Sequence, residues 1–379
     1  MEKVLVLGAG MVGSVMAADL CRDFEVTVAD VSERNLEAAR ARCGARLKTV
    51  REDLSSAAAI TRLASQHDLV CGALASHLGY GALGAVIDAG RPYCDISFMA
   101  EDFGELSAKA RAKGVTAVVD CGVAPGMSHI LSAYGAAQLD RCEEIEIYVG
   151  GLPRERRWPY EYKAAFAPAD VIEEYTRPAR LVEHGRVVTR EALSEPELMD
   201  FAGVGTLEAF NTDGLRSLTT SLKVPFMKEK TLRYPGHIEL MRVMRETGLF
   251  SKEPVKVKGV SVRPLDVTSA LLFPKWTYGP GEEDLTVMRV TASGERGGKP
   301  ARVTYDLLDF YDKASQATSM ARTTAFPCTI VARMLLSGRV GEKGVLAPEM
   351  IAGVPGLVED LLRELKARDV SYTCSQSAH

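Results

Sequence analysis

The chain has 379 residues, 46% of them hydrophobic and 25% charged, with a net charge of −4. That length holds two or three domains of ordinary size, and the slight acidity offers no footprint for nucleic acid or an anionic membrane. The eight cysteines (21, 43, 71, 94, 121, 142, 328 and 374) are scattered without a C-x-x-C pair, so they suggest neither a metal site nor a disulfide framework and read as small buried hydrophobes. The chain starts almost directly in a strand, with no charged region leading into an apolar signal core. No apolar run approaches membrane-spanning length, and a cytoplasmic protein is expected.

Residues 4–7 form a continuous apolar run, as expected of a strand buried on both faces of a parallel sheet, and Gly8, Gly10 and Gly13 follow as G-x-G-x-x-G. Gly8 permits the tight turn, Gly10 lets the backbone approach a pyrophosphate, and Gly13 lets the next helix lie close to the strand. Met11 and Val12 open that helix, whose N–H groups favour phosphate charge. A second strand at 26–29 ends at Asp30 and Val31. A carboxylate there accepts both ribose hydroxyls of NAD and repels the 2′-phosphate of NADP, while Arg34 keeps NADP open.

The spacing then predicts a helix over 32–43 capped by Ser32, a strand at 45–50, a strand at 68–73, a helix at 78–89, a strand at 91–95, a helix at 101–113 and a strand at 115–120. Such alternation predicts a Rossmann-type, doubly wound parallel sheet in an α/β chain, with ligands beyond the carboxyl ends of the strands. Those ends carry Leu74, Ala75 and His77; Asp95 and Ile96; and Asp120, Gly122, Val123, Pro125 and Gly126.

A loop with two glycines and a proline leads into a helix from residue 127 to about 139 and marks the domain change. The segment 143–150 alternates polar and apolar, and further strands are expected at 206–211, 230–234, 284–293 and 302–309, the last two joined by a turn over 294–300. Helices are expected at 168–175, 213–220, 236–247 and 265–274. The expected domains are 1–124 for the dinucleotide, an α+β substrate and dimerisation domain at 125–315 on an open, largely antiparallel sheet, and C-terminal helices at 316–379 that pack back on the first. A homodimer would cover the open sheet. The helix over 318–337 contains Pro327, and 356–368 reads as a further amphipathic helix.

At this point the chain resembles the saccharopine dehydrogenase and reductase superfamily, and within it the L-lysine 6-dehydrogenase branch. The resemblance rests on GAGMVG, on DCGVAPGMSHILSAYGAAQLD (120–140), YVGGLP (148–153), EYKAAFAPADVIEEYTRPARLVEHG (161–185), TLEAFNTDG (206–214), KTLRYPGH (230–237) and MARTTAF (320–326). It implies NAD-dependent oxidative deamination of the ε-amino group of lysine to 2-aminoadipate 6-semialdehyde, which cyclises, with release of ammonia. The saccharopine reductases carry an arginine in the segment that here reads 210–214, and it helps hold a carboxylate of the glutamate half of saccharopine. This chain has Thr212 there. Losing a bidentate guanidinium is not conservative and argues for a substrate without that half. Two alternatives stand beside this reading. One is an imine reductase of the opine, saccharopine or carboxynorspermidine type; the other is a dinucleotide-binding regulatory protein without turnover.

The reaction needs a group that accepts the amine proton and activates water. His237, at the start of a helix, leads the candidates for that base, with Asp95, Asp120 and His77 at the strand ends as further catalytic or relay groups. Arg233 is the candidate for the substrate α-carboxylate, and Glu208 and Asp213 for the α-ammonium. Thr212, Glu161, Tyr162, Pro125 and Gly126 complete the pocket. The run 154–157 (RERR) reads as a solvated loop.

Overall fold

The computed structural model describes residues 1–279 and 281–378, and the chain divides into two compact units. The first comprises Met1–Tyr134, Lys313–Ala317 and Ala321–Tyr372; the second comprises Gly135–Asp312, Thr318–Met320 and the segment from Thr373.

The first unit alternates β1 (Lys3–Leu7), α1 (Met11–Leu20), β2 (Glu25–Asp30), α2 (Glu33–Cys43), β3 (Leu47–Arg51), α3 (Ala57–Ala64), β4 (Leu69–Gly72), α4 (Ser76–Asp88), β5 (Tyr93–Asp95), α5 (Ser107–Ala112) and β6 (Thr116–Val118). Apolar runs make the central strands because both faces are covered: Val4 to Leu7 and Leu69 to Cys71 are fully buried. Helix α2 has the expected cap, Ser32 accepting from Asn35 N at 3.3 Å. Helix α3 lies outside the expected elements; Ser56 caps it and its Ile60 and Leu63 face the core. The single helix expected over 101–113 is instead a 3-10 turn at Phe103–Leu106 followed by the short α5. Asp102 caps the 3-10 turn, its Oδ1 accepting from Gly104 N at 2.8 Å.

Helix α6 (Met127–Ala136) leads to β7 (Arg141–Pro153), α7 (Pro168–Thr176), the hairpin β8 (Ala179–Glu183) and β9 (Arg186–Arg190), β10 (Glu197–Phe201), β11 (Gly205–Asn211), α8 (Leu218–Ser221), β12 (Phe226–Arg233), α9 (His237–Glu246), the small hairpin β13 (Val255–Val257) and β14 (Val260–Val262), α10 (Pro264–Trp276), β15 (Asp284–Arg296) and β16 (Lys299–Phe310). The chain ends with α11 (Ser319–Leu336), β17 (Gly344–Leu346), α12 (Pro348–Ile351), α13 (Leu357–Lys366) and β18 (Tyr372–Ala378).

The seven-stranded sheet of the first unit has the order β17-β6-β5-β4-β1-β2-β3 and every pair in it is parallel. Its edge strand β17 comes from the C-terminal segment and was not expected, since three residues carry too little pattern to read. The nine-stranded sheet of the second unit runs β10-β11-β12-β7-β15-β16-β18, with β8 and β9 off β12. The pairs β10·β11, β11·β12, β7·β15, β15·β16, β8·β12 and β8·β9 are antiparallel, and β12 lies parallel to β7. The turn expected over 294–300 is tighter: β15 and β16 continue to Arg296 and Lys299, and only Gly297 and Gly298 turn, both at positive φ (61° and 72°), as a two-residue hairpin requires. The expected helix over 213–220 is reduced to the single turn α8. One face of this sheet is covered by α7, α9 and α10 through Tyr175, Ile238, Met241, Leu272 and Trp276. A second apolar cluster joins Tyr148, Leu207, Leu232 and Val287.

A buried carboxylate ties the C-terminal helices of the first unit to α1. Asp19 is 2% exposed; it accepts from Thr329 Oγ1 (2.7 Å) and Arg333 Nη1 (2.7 Å) on α11 and from Arg368 Nε (2.8 Å) just after α13. Burial alone would raise its pKa, but the two guanidinium groups reverse this and hold it below the usual carboxylate range. Its contribution to stability is therefore present above the ordinary carboxylate pKa and is lost as the pH falls through the lower folded value. Asp19→Ala removes the buried centre of this network and leaves Arg333 and Arg368 only their more exposed partners Asp23 and Glu364, and a loss of about 2–3 kcal/mol in chemical denaturation is expected. A loss below about 1 kcal/mol, the range of an exposed ion pair, would remove this role.

Candidate active site

In the first unit the glycine turn is set by space. A Cβ on Gly8, which sits at φ 99°, would collide with the Ala73 carbonyl, and one on Gly13 would collide with the Gly8 carbonyl, so helix α1 lies against β1 and β4 only because both lack side chains. At Gly10 the same test meets nothing within 4 Å. Open space over that glycine, a helix start with no side-chain cap and no acid in its first turn, and half-exposed Met11 fit a pyrophosphate on the α1 amides. Asp30 closes the turn from the end of β2: its Oδ2 accepts from Ala9 N and its Oδ1 from Ser32 N, both at 2.7 Å. Val31 beside it is 61% exposed. These residues fit a dinucleotide.

Further along the carboxyl edge, Asp95 ends β5 and is fully buried. Its Oδ1 accepts from Ser97 Oγ (2.8 Å) and Tyr93 OH (3.1 Å), while Oδ2 has no partner among the described residues. Burial pushes its pKa up to about 7. A Cβ on Gly72 would strike both the Tyr93 hydroxyl and this carboxylate, so the β4 glycine makes room for the arrangement. Asp120 follows β6 in the left-handed region at φ 53° and is fully buried; the next residue, Cys121, donates its N–H to Asp95 O at 2.7 Å. Gly122 and Gly126 bridge directly, and a Cβ on Gly126 would strike the Gly122 carbonyl, so residues 122–126 fold tightly on themselves around Val123 and Pro125. His77 stands exposed in the first turn of α4, with Leu74 and Ala75 before it.

The cysteines depart from expectation in two ways. Cys43 and Cys142 are partly exposed and Cys374 is exposed. The buried Cys71, Cys94, Cys121 and Cys328 are free thiols that cluster, Cys71 and Cys94 in register on β4 and β5 and Cys328 of α11 close enough to act on both. Among the described residues no group of three or more His, Cys, Asp or Glu could hold a metal ion, and no helix is long and apolar enough to cross a membrane.

In the second unit a polar lane lies under α7, α9 and α10. Strands β11 and β12 pair Glu208 with Arg233 and Phe210 with Thr231, and Thr212 continues the row opposite Glu229. Alternation puts Glu229, Thr231 and Arg233 on one face. Arg233 is 2% exposed; its Nη2 donates to Glu174 (2.8 Å), its Nε to Tyr175 OH (3.2 Å), and its Nη1 to the Leu232 carbonyl (3.0 Å). The guanidinium also lies 4.5 Å from the Tyr162 ring centre. The tyrosine hydroxyl passes the chain on to His237 Nε2 at 2.9 Å, and His237 Nδ1 lies 2.9 Å from the Tyr160 carbonyl. Because that carbonyl can only accept, Nδ1 carries the proton and Nε2 accepts from Tyr175. Burial, with Arg233 nearby, pushes the ring pKa down to about 3.

These contacts change several expectations. His237 is not an open base: it is buried, neutral, and uses both nitrogens. Arg233 is already matched by Glu174, so a carboxylate must share or displace that partner. Asp213 is held by Arg180 through both oxygens (2.8 and 2.9 Å), and Glu208 accepts from Gly236 N (3.1 Å). Neither is an idle acid. Tyr162 does lie in the lane, with a hydroxyl that has no partner among the described residues; Glu161 pairs with Arg156. The run 154–157 is exposed, with Arg154 and Arg157 paired to Glu283 and Glu282 at 2.9 Å, as a solvated loop requires. Glu229, Glu174 and Tyr175 were missed. The available signal was the alternation of Glu229, Thr231 and Arg233, which also describes a solvent-facing strand.

Asp95 yields a test of its environment. Between the ordinary carboxylate value of 3.8 and about 7 the folded chain holds a proton that the unfolded chain has released. Stability therefore falls as pH rises through that window, by at most about 1.4 kcal/mol per pH unit for one proton. Asp95→Asn should flatten the slope of unfolding free energy against pH by up to one proton; an unchanged slope would show that the carboxyl titrates normally.

Comparison with known proteins divides the chain near residue 120, whereas the compact units return residues 321–372 to the first. Residues 4–118 match the family model "Saccharopine dehydrogenase NADP binding domain" and residues 122–370 match "Saccharopine dehydrogenase C-terminal domain". The saccharopine dehydrogenase [NADP(+), L-glutamate-forming] of Schizosaccharomyces pombe is 23% identical over 96% of this chain and 97% of its own. The mitochondrial alpha-aminoadipic semialdehyde synthase of Bos taurus is 25% identical over 98% of this chain, which spans 47% of that longer protein. The carboxynorspermidine synthase of Vibrio cholerae is 26% identical over 66% of this chain and 61% of its own. Among solved structures, apo saccharopine dehydrogenase (L-Glu forming) from Saccharomyces cerevisiae superposes with a TM-score of 0.82 at 18% identity, covering 100% of both chains. The chain belongs to the saccharopine dehydrogenase family of oxidoreductases.

Proposed function

We propose that this chain oxidises the ε-carbon of L-lysine with NAD, giving 2-aminoadipate 6-semialdehyde and ammonia. The observation that carries the reading is at Thr212. Where the resemblance implies a carboxylate-gripping arginine, the side chain is a hydroxyl donated to the buried acid Glu229. The arginines nearby, Arg180 and Arg233, are each matched by an acid, Asp213 and Glu174. Such a lane favours a substrate with an ammonium over one with an added carboxylate.

The cofactor would be held by Gly8, Gly10, Met11, Val12 and Gly13 at the pyrophosphate, by Asp30 and Val31 at the ribose, and by Leu74, Ala75, Ile96, Gly122 and Val123 along the sheet edge. Its carboxylate makes Asp30 a poor neighbour for a 2′-phosphate, which supports NAD. A dinucleotide bound there would supply the hydride acceptor. The ε-carbon gives up hydride only after the ε-ammonium has lost a proton; water then adds to the resulting imine, ammonia leaves, and the aldehyde closes on the α-amine. Asp95 ends β5 at the carboxyl edge with Oδ2 unpartnered among the described residues and burial raising its proton affinity toward neutrality, whereas His237 already uses both ring nitrogens. We therefore assign Asp95 the proton relay.

The test is the near-ultraviolet absorbance of NADH with purified protein, NAD and L-lysine, run beside lysine plus 2-oxoglutarate with NADH or NADPH. Rising absorbance with lysine alone, with stoichiometric ammonia, is expected. Silence with lysine and cofactor consumption with the oxo acid would replace this reading by an opine-type imine reductase.

A further inference from the structure

Glu229 is 4% exposed, yet no lysine, arginine or histidine among the described residues forms an ion pair with it. The charges that act on it most are two further acids, Glu174 and Asp213, each with its own arginine. Buried carboxyls are ordinarily matched or hydrogen-bonded, and an ionised one without a cation is costly.

What surrounds this carboxyl is nevertheless built for its ionised form. Thr212 Oγ1 and Gly214 N (3.1 Å) both donate to Oε2, and Thr231 Oγ1 lies 2.9 Å from Thr212 Oγ1, so one hydroxyl can pass a hydrogen bond to the next and on to the acid. Gly214 is a glycine for this reason. Its φ is not in the left-handed region, but a Cβ there would land inside the Glu229 carboxyl. The glycine is itself only half-buried, so the acid lies one backbone layer beneath the surface. Donors aimed at a buried oxygen, a cradle without side-chain atoms, and no cation together describe half of a charge pair.

We propose that Glu229, oriented by Thr212 and Gly214, is the subsite for the non-reacting α-ammonium of an amino-acid substrate. The choice between the two ammonium groups of lysine follows from the chemistry. Hydride can leave only from a carbon whose nitrogen has a free lone pair, and a carboxylate against an ammonium keeps it protonated. The group that Glu229 grips is therefore the one that stays charged through the reaction. This deepens the amine-oxidising reading and rests on it for the identity of the substrate, but it is tested by binding alone.

The probe is L-norleucine, which has the α-ammonium and α-carboxylate of lysine but no ε-amine and cannot turn over, titrated calorimetrically into the full-length protein beside hexanoate, which lacks the ammonium. Norleucine should bind at least about tenfold more tightly than hexanoate, and Glu229→Gln should remove that advantage while leaving hexanoate unchanged. Because the acid has no cation to lose, the thermal midpoint of Glu229→Gln should not fall, whereas a purely structural acid would lower it. Gly214→Ala, which displaces the carboxyl without changing charge, should repeat the loss of norleucine binding. Equal binding of norleucine and hexanoate by the unmodified protein, or an unchanged norleucine affinity in both variants, would overturn the proposal. Glu229-dependent norleucine binding without lysine oxidation would instead remove the proposed reaction and leave the subsite standing.

Discussion

The first unit depends on a backbone contact: helix α1 reaches the sheet only because Gly8 and Gly13 offer no Cβ to the Ala73 and Gly8 carbonyls. That approach brings the α1 amides to the carboxyl edge, where Asp30 locks the turn through Ala9 N and Ser32 N. It also fixes Asp19 at the far end of the same helix, where the carboxylate gathers Thr329, Arg333 and Arg368. One short helix thus presents its positive end to a ligand and its last turn to the C-terminal segment. A residue with a side chain at either glycine would disturb both ends at once.

How much of this was legible depends on whether the signal was local. The glycine spacing, the apolar strand runs and the Ser32 cap are contiguous in sequence, and each has a physical consequence within a turn or two. The strand β17 is three residues long and has no pattern of its own; it exists because Thr116 to Val118 offer a free parallel edge. The same holds for the thiol cluster. Cys71, Cys94, Cys121 and Cys328 look isolated in the chain, and only sheet register and α11 bring them together. The Asp102 side chain illustrates the opposite case, a local hydrogen bond to Gly104 N at the start of a 3-10 turn where a helix was expected.

The candidate site of the second unit was harder to read because its charges look like surface charges. The segment KEKTLR would serve equally well as an exposed strand, and only the helices laid over one face turn Glu229, Thr231 and Arg233 into a buried row. Arg233 and His237 stood out in sequence; Arg233 lies in that row, and His237 reaches it from the start of α9 through the Tyr175 hydroxyl. Sequence could not show that Glu174 and Tyr175, from another element, already satisfy them. The burial that would make such groups reactive also demands partners for them, and the partners come from distant parts of the chain.

Four buried ionisable groups show what decides their roles. Asp19 and Asp95 are both nearly inaccessible, yet two arginines hold the first below the usual range while burial without a cation lifts the second to about 7. Arg233 is faced by Glu174, whereas burial, with the acids Glu174 and Asp213 nearby, lifts Glu229 to about 8. A matched buried charge is a structural tie; an unmatched one is a site that a proton or a ligand must complete. By that criterion Asp19 is a tie of the first unit and Asp95 a proton-holding group in it. In the second unit Arg233 with Glu174 and Asp213 with Arg180 are ties, and the place left for a ligand's positive charge is Glu229.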